Sequence, residues 1–142
     1  MDKEVKREII LEHYQNPFHK EEVNDSNYKM YNTSNPNCID NLDLYVKIKD
    51  NIIEDIKFMG EACAISTAAT SIMIKNLIGK SIVDAKEYIN NYKKMCNNEE
   101  YDDNSLNEAL AFSDIYKQSN RINCAILPYK GILKAIEDYE KE

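Results

Sequence analysis

The stretch Phe58–Ser66, FMGEACAIS, decides how this chain folds. An alternating apolar run leads into it and breaks at Gly60, and small apolar residues of helical pattern follow it. Cys63 therefore falls where a strand gives way to a helix. A cysteine at a helix N-terminus has its thiolate stabilised by the helix dipole, which favours metal binding or attack on sulfur. Two other cysteines stand at comparable edges: Cys38, two residues before Asp40, and Cys124, at the start of the last helix. The organising expectation is that the fold brings these three thiols and Asp40 to one point.

Working upstream, Asn41–Lys49 alternates Leu42, Leu44, Val46 and Ile48 with polar residues, the period of a strand with one wet face. Asp50-Asn51 can form a two-residue hairpin turn, so Ile52–Met59 returns as the antiparallel partner. The hairpin carries Gly60–Cys63 back beside Cys38–Asp40, which Asn35-Pro36-Asn37 delivers from a turn. Tyr28–Thr33 reads as a short edge strand, and Lys3–Gln15 as an opening helix stopped by Asn16-Pro17.

Downstream, Ala64–Ile78 reads as a helix ended by Gly79. Ser81 with Asp84, and Ser105 with Glu108, resemble capping boxes. They open helices to about Met95 and to about Lys117, separated by a polar, acidic loop. A last helix follows Cys124, with Pro128 expected in its first turn or so, where proline is tolerated. The order predicts an α+β fold over a single domain, 1–142: a small antiparallel sheet of about three strands packed against about five helices.

The chain has 142 residues and a formal net charge of −7, which argues against nucleic acid as a partner. No apolar run approaches the roughly 20 residues of a membrane span, and charged residues occupy the start, so a cytoplasmic location is expected. In a reducing compartment the four cysteines point to metal binding or sulfur chemistry rather than disulfides.

Cys38, Asp40, Cys63 and Cys124 supply three thiolates and a carboxylate, a set that suits tetrahedral Zn²⁺ or iron in a cluster. Their spacing matches no zinc-finger pair, and isolated cysteines also serve as small buried hydrophobes. Cys96 continues an apolar helical stripe and reads as buried. His13 and His19 are the only histidines, and neither makes a recognised motif with a cysteine; His13 reads as a packed or capping residue. The acidic residues Glu99–Asp103 lack a calcium-loop pattern, and the ten tyrosines read as scattered.

The words NPNCID, GEACAIS and RINCAILPYKGI, with ILEHYQNP near the start, resemble the U-type iron–sulfur assembly family: SufU, IscU and the N-terminal domain of NifU. IscU-type members carry His directly before the last cysteine and a Leu-Pro-Pro-Val-Lys segment upstream, read by an Hsp70 chaperone. This chain has Asn123 there, no such segment, Arg121 three positions earlier, and added length over about 93–105, features similar to SufU.

The resemblance implies iron–sulfur cluster biogenesis, with zinc on Cys38, Asp40, Cys63 and Cys124 and sulfur accepted from a PLP-dependent, SufS-type cysteine desulfurase. It makes Cys38 the expected sulfur acceptor, Cys124 the alternative, and Arg121 a residue that steers docking or balances charge. Downstream cluster-assembly or apo iron–sulfur proteins are the implied recipients. A labile [2Fe–2S] scaffold on the same ligands is the first alternative, and a structural-zinc interaction module the second. Two residues depart from the pattern: Ile39 and Ala62 stand where the family has glycine. A positive φ at Ile39 would strain the site.

Overall fold

A computed structural model describes all residues, 1–142. Its order is helix α1 (Lys3–Gln15), strands β1 (Lys29–Ser34), β2 (Asn41–Lys49) and β3 (Ile52–Glu61), then helices α2 (Ala64–Leu77), α3 (Ile82–Cys96) and α4 (Ile122–Glu140). Two short 3₁₀ segments, Asn107–Phe112 and Ile115–Lys117, lie between α3 and α4. The α+β class and the three-stranded antiparallel sheet, in the order β1-β2-β3, are as expected.

The hairpin turns on Asp50 and Asn51, both at positive φ (53° and 62°), which matches the right-handed twist of the paired strands. Alternation puts Leu42, Leu44 and Val46 of β2 into the core against Ile56 and Phe58 of β3. A register shift at Lys47/Ile48 leaves Glu54 unpaired and resets the phase, so Ile53 also points inward. Without that bulge, Ile53 would face the wet side with Asp55.

α2 is the central element. Ten of its residues are buried, Ser66 through Ile74 and Leu77, so it has no solvent face to speak of. Small residues make this possible: Ala68, Ala69, Thr70 and Ser71 let α1 and α4 approach closely. Its buried hydroxyls are all partnered. Thr70 Oγ1 donates to the Ser66 carbonyl at 2.7 Å, and Ser71 Oγ receives the Phe18 N–H at 2.7 Å and meets His13 Nδ1 at 2.7 Å. His13 Nε2 lies 3.2 Å from a Glu108 carboxylate oxygen, so the histidine ties α1 to both α2 and the 3₁₀ segment. Gly131 lets α4 sit on the sheet, because a Cβ there would come within 2.5 Å of the Leu44 side chain.

Three expectations need correction. The segment from Ser105 to Lys117 is not one α-helix but two 3₁₀ stretches, and no side chain caps them. Its burial explains this: Leu106, Ala109, Ala111, Phe112 and Ile115 all reach the core, a wider arc than one exposed α-helix presents, so packing overrides the capping signal. The last helix starts before Cys124, at Ile122, and Pro128 therefore lies inside it. The tyrosines are not all scattered. Tyr92 and Tyr129 stack with ring centroids 4.3 Å apart, and Tyr88 joins them through a 3.2 Å hydroxyl contact to Tyr129. They form a buried aromatic seam between α3 and α4, beside the buried Cys96.

Candidate metal centre

The four residues singled out in the sequence converge. One ligand atom from each of Cys38, Asp40, Cys63 and Cys124 lies within 4.8 Å of all the others. Metal–sulfur bonds of ~2.3 Å in a tetrahedron set sulfur–sulfur edges at ~3.8 Å, so closing on one ion needs contraction of at most ~1 Å. The donor set, three soft thiolates and a carboxylate, suits zinc or iron.

Each ligand is positioned by a different local device. Cys38 closes a turn in which its N–H donates to the Asn35 carbonyl at 3.0 Å, and the Asn37 N–H donates to Asn35 Oδ1 at 3.1 Å. The Asn35 N–H donates to the Asp40 carbonyl at 3.0 Å, which pins this loop to the start of β2. Asp40 is buried. Its Oδ1 accepts the Cys63 N–H at 2.7 Å, and its Oδ2 lies 2.6 Å from Ser66 Oγ.

Cys63 is the N-cap of α2, where its sulfur accepts the Ser66 N–H at 3.4 Å. Gly60 makes that placement possible, at φ +121° and packed so tightly on β2 that a Cβ would sit 2.2 Å from the Asn41 carbonyl oxygen. Cys124 is buried in the first turn of α4, with Arg121 at the N-cap position. Ile39 and Ala62 have no positive φ, so replacing the family glycines introduces no strain; Ile39 points into solvent, 69% exposed.

The electrostatics are those of a site short of one cation. Burial works to raise the Asp40 pKa, but hydrogen bonds from the Ser66 hydroxyl, the Cys63 N–H and the neighbouring thiols outweigh it and hold the carboxyl below its usual value. Burial, then the nearby Cys63 and Asp40, push the Cys124 thiol up to about 12, against the opposing pull of Arg121. The helix terminus alone therefore does not ionise Cys124, contrary to the sequence-based expectation. Arg121 in turn is held above its ordinary value, first by Cys124 and then by the charge of the other thiols. A divalent cation would reverse this balance, since coordination deprotonates thiols outright.

Only part of the cluster faces outward. An open polar depression is lined by Cys38, Cys124, Arg121 and four asparagines, and neither Cys63 nor Asp40 reaches it. Cys38 and Cys63 are both half-buried, and of the two only Cys38, on its turn, lines the depression. Ser66, buried and touching Asp40, Cys63 and the Cys124 carbonyl, was not singled out from the sequence. Its signal was its position, three residues after the N-cap cysteine, where a side chain turns back toward the cap.

An α+β fold that gathers three thiols and a buried carboxylate at one end of a hairpin defines a protein built to hold a thiophilic metal or to handle sulfur. The chain belongs to the NifU-like N-terminal domain family, which it matches over residues 5–142. It is 36% identical to the zinc-dependent sulfurtransferase SufU of Bacillus subtilis, over 94% of this chain and 90% of that protein. It is 33% identical to the iron–sulfur cluster assembly scaffold protein IscU of Thermotoga maritima, over 72% of each. A crystal structure from Fervidobacterium islandicum, described as a SUF-system iron–sulfur assembly scaffold, superposes with a TM-score of 0.86 at 31% identity, covering 91% of this chain and 94% of that one.

Proposed function

We propose that this chain acts in iron–sulfur cluster biogenesis as a sulfur acceptor, holding zinc on Cys38, Asp40, Cys63 and Cys124 and taking sulfur from a PLP-dependent cysteine desulfurase of the SufS type. The observation that carries this reading is the asymmetry of the cluster. Asp40 and Cys63 are bonded to each other and do not reach the open depression, while Cys38, on a turn, and Cys124, in the first turn of α4, line it. The similarity to SufU favours zinc.

Bound zinc supplies charge that keeps the thiols deprotonated and masks them until a partner docks. In the transfer step the Cys38 thiolate attacks the terminal sulfur of the partner's cysteine persulfide. A new sulfur–sulfur bond forms on Cys38, the partner's sulfur–sulfur bond breaks, and the partner's cysteine leaves as a thiolate. One sulfane sulfur moves and no net oxidation occurs. Cys124, which also lines the depression, is the second acceptor. Arg121 beside it offsets the site's negative charge and meets an incoming acidic surface or persulfide.

The similarity to IscU supports a second reading, in which the same four ligands hold a labile [2Fe–2S] cluster for delivery to apo proteins. A purely structural zinc site fits less well, because closed structural sites do not present a ligand on an exposed turn. No helix is long and apolar enough to cross a membrane, and a reducing cytoplasm would keep these thiols available.

The test is metal and sulfide content of untagged protein, with Cys38→Ser and Asp40→Ala beside the wild type, followed by mass spectrometry after incubation with desulfurase and cysteine. The reading expects about one zinc per chain, loosened in both variants, and a mass gain of one sulfur that Cys38→Ser abolishes. Iron with acid-labile sulfide selects the scaffold reading. A folded, reduced protein without metal overturns both.

A further inference from the structure

Ser66 is fully buried and has one hydroxyl proton, yet two acceptors compete for it. Asp40 Oδ2 lies 2.6 Å from its oxygen, and the Cys124 carbonyl oxygen lies 3.1 Å away on the other side. The second acceptor is free for a reason fixed by the sequence. In α4 the donor to the Cys124 carbonyl would be the N–H of residue 128, and residue 128 is proline, which has none. A buried carbonyl without a partner costs about 1–3 kcal/mol, so the chain needs some donor there, and Ser66 supplies one. The same hydroxyl also lies 3.4 Å from Cys63 Sγ.

We propose that Ser66 is the positioning residue of the metal centre: its single proton shuttles between Asp40 and the Cys124 carbonyl, coupling the carboxylate ligand to the first turn of α4. While Asp40 is disengaged, the hydroxyl bonds the carboxylate and keeps it aimed at the thiols. Were a metal to take up the carboxylate's charge, the hydroxyl would turn to the Cys124 carbonyl and brace the turn that carries the Cys124 sulfur. Neither state leaves Asp40 without a partner for its charge, so Asp40 can engage and disengage without stranding a buried anion. Pro128 is the other half of the device, because an N–H there would satisfy the carbonyl permanently and release Ser66 to serve Asp40 alone. This inference rests on the four-ligand site proposed above.

The test measures zinc affinity by chelator competition, the rate of zinc release, and the d–d and charge-transfer bands of the Co²⁺-substituted protein. Outer-shell partners of metal ligands are typically worth 10–100-fold in metal affinity. Ser66→Ala is expected to weaken zinc binding by about that factor and to shift the Co²⁺ bands. Ser66→Thr, which keeps the hydroxyl, is expected to stay within a few-fold of wild type.

Pro128→Ala is expected to speed zinc release several-fold, because the hydroxyl then bonds Asp40 alone and favours the disengaged carboxylate; unchanged or slower release overturns the coupling. In its background, Ser66→Ala is expected to lose distinctly less affinity than in the wild type, since the Cys124 carbonyl no longer depends on the serine. Thermal melts of all variants in excess zinc control for folding. If the wild type binds zinc and Ser66→Ala matches it in affinity and Co²⁺ spectrum, the inference fails while the site stands. Strictly additive effects of Ser66→Ala and Pro128→Ala overturn the coupling. A wild type that binds no zinc overturns the site and the inference together.

Discussion

Gly60 joins the fold to the site, and replacing it with alanine tests both. Its φ of +121° is a region that L side chains rarely adopt, and an added Cβ would lie 2.2 Å from the Asn41 carbonyl oxygen and 3.1 Å from the Leu42 Cα. The backbone strain costs about 1–3 kcal/mol. Relieving the clash means prising the end of β3 from β2, where Gly60 pairs with Leu42 and Glu61 with Asn41. Losing a ladder hydrogen bond adds about 0.5–1.5 kcal/mol, so Gly60→Ala is expected to destabilise the protein by ~2–4 kcal/mol. With a urea slope of about 2 kcal/mol/M, the midpoint falls by ~1–2 M. Gly79 is the internal control: it also has positive φ, +90°, but nothing lies within 4 Å of its Cβ position. Gly79→Ala should therefore show the strain without the clash, about 1–2 kcal/mol. The strand end leads directly to Cys63, whose N–H holds Asp40, so Gly60→Ala should also weaken zinc binding and Gly79→Ala should not. Equal losses from the two variants, or less than about 1 kcal/mol from Gly60→Ala, would refute the clash argument.

Three further outcomes follow from the same geometry. The metal-free protein should lose stability between about pH 9 and pH 12: Cys124 is raised from 9.0 to about 12 when folded, so the unfolded chain releases that proton first and gains on the folded state as pH rises. Urea midpoints against pH should show this slope; Cys124→Ser should reduce it but not abolish it, because burial also raises the Cys96 thiol to about 12. Ile39→Gly should change stability by no more than about 1 kcal/mol and leave zinc affinity unaltered, because Ile39 is exposed and at ordinary φ; a large gain in affinity would mean the site does need glycine there. His13→Ala should cost ~2–4 kcal/mol, since it removes a buried ring that bonds Ser71 and pairs with Glu108; a loss below about 0.5 kcal/mol in chemical denaturation would sink that account.

The hairpin and the convergence of the four ligand residues were legible because period-2 alternation fixes which residues face each other. Once β2 and β3 pair, Asn41 must lie opposite Glu61, and Cys38–Asp40 beside Cys63 follows. The 3₁₀ stretch was not legible. Ser105 and Glu108 carry a local helix signal, but Leu106, Ala109, Phe112 and Ile115 are claimed by three neighbouring elements, and tertiary packing decides the backbone. The true start of α4 was hidden for a related reason: its N-cap position is Arg121, with no capping side chain to mark it. Ile39 illustrates the opposite error, in which a family glycine suggests strain that the backbone does not contain.

The metal-free centre is also in conflict with itself, and that conflict bears on how it works. A buried carboxylate is held ionised by its donors while, a few ångströms away, burial and that same carboxylate keep Cys124 protonated. Local consistency is what usually marks a sequence that folds to one state, and conflicts of this kind cluster at functional sites. A divalent cation resolves the conflict at once by giving the carboxylate a partner and taking the thiol proton's place. Folding is then linked to metal, and the stabilisation grows with free metal as RT ln(1 + [L]/Kd), about 4.1 kcal/mol at a thousandfold excess over Kd. In the proposed transfer the ligand that leaves is Cys38, on the turn beside the open depression, and its departure would keep the carboxylate and the other two thiols together. On that proposal, one thiol would be released to chemistry while three ligands kept the metal.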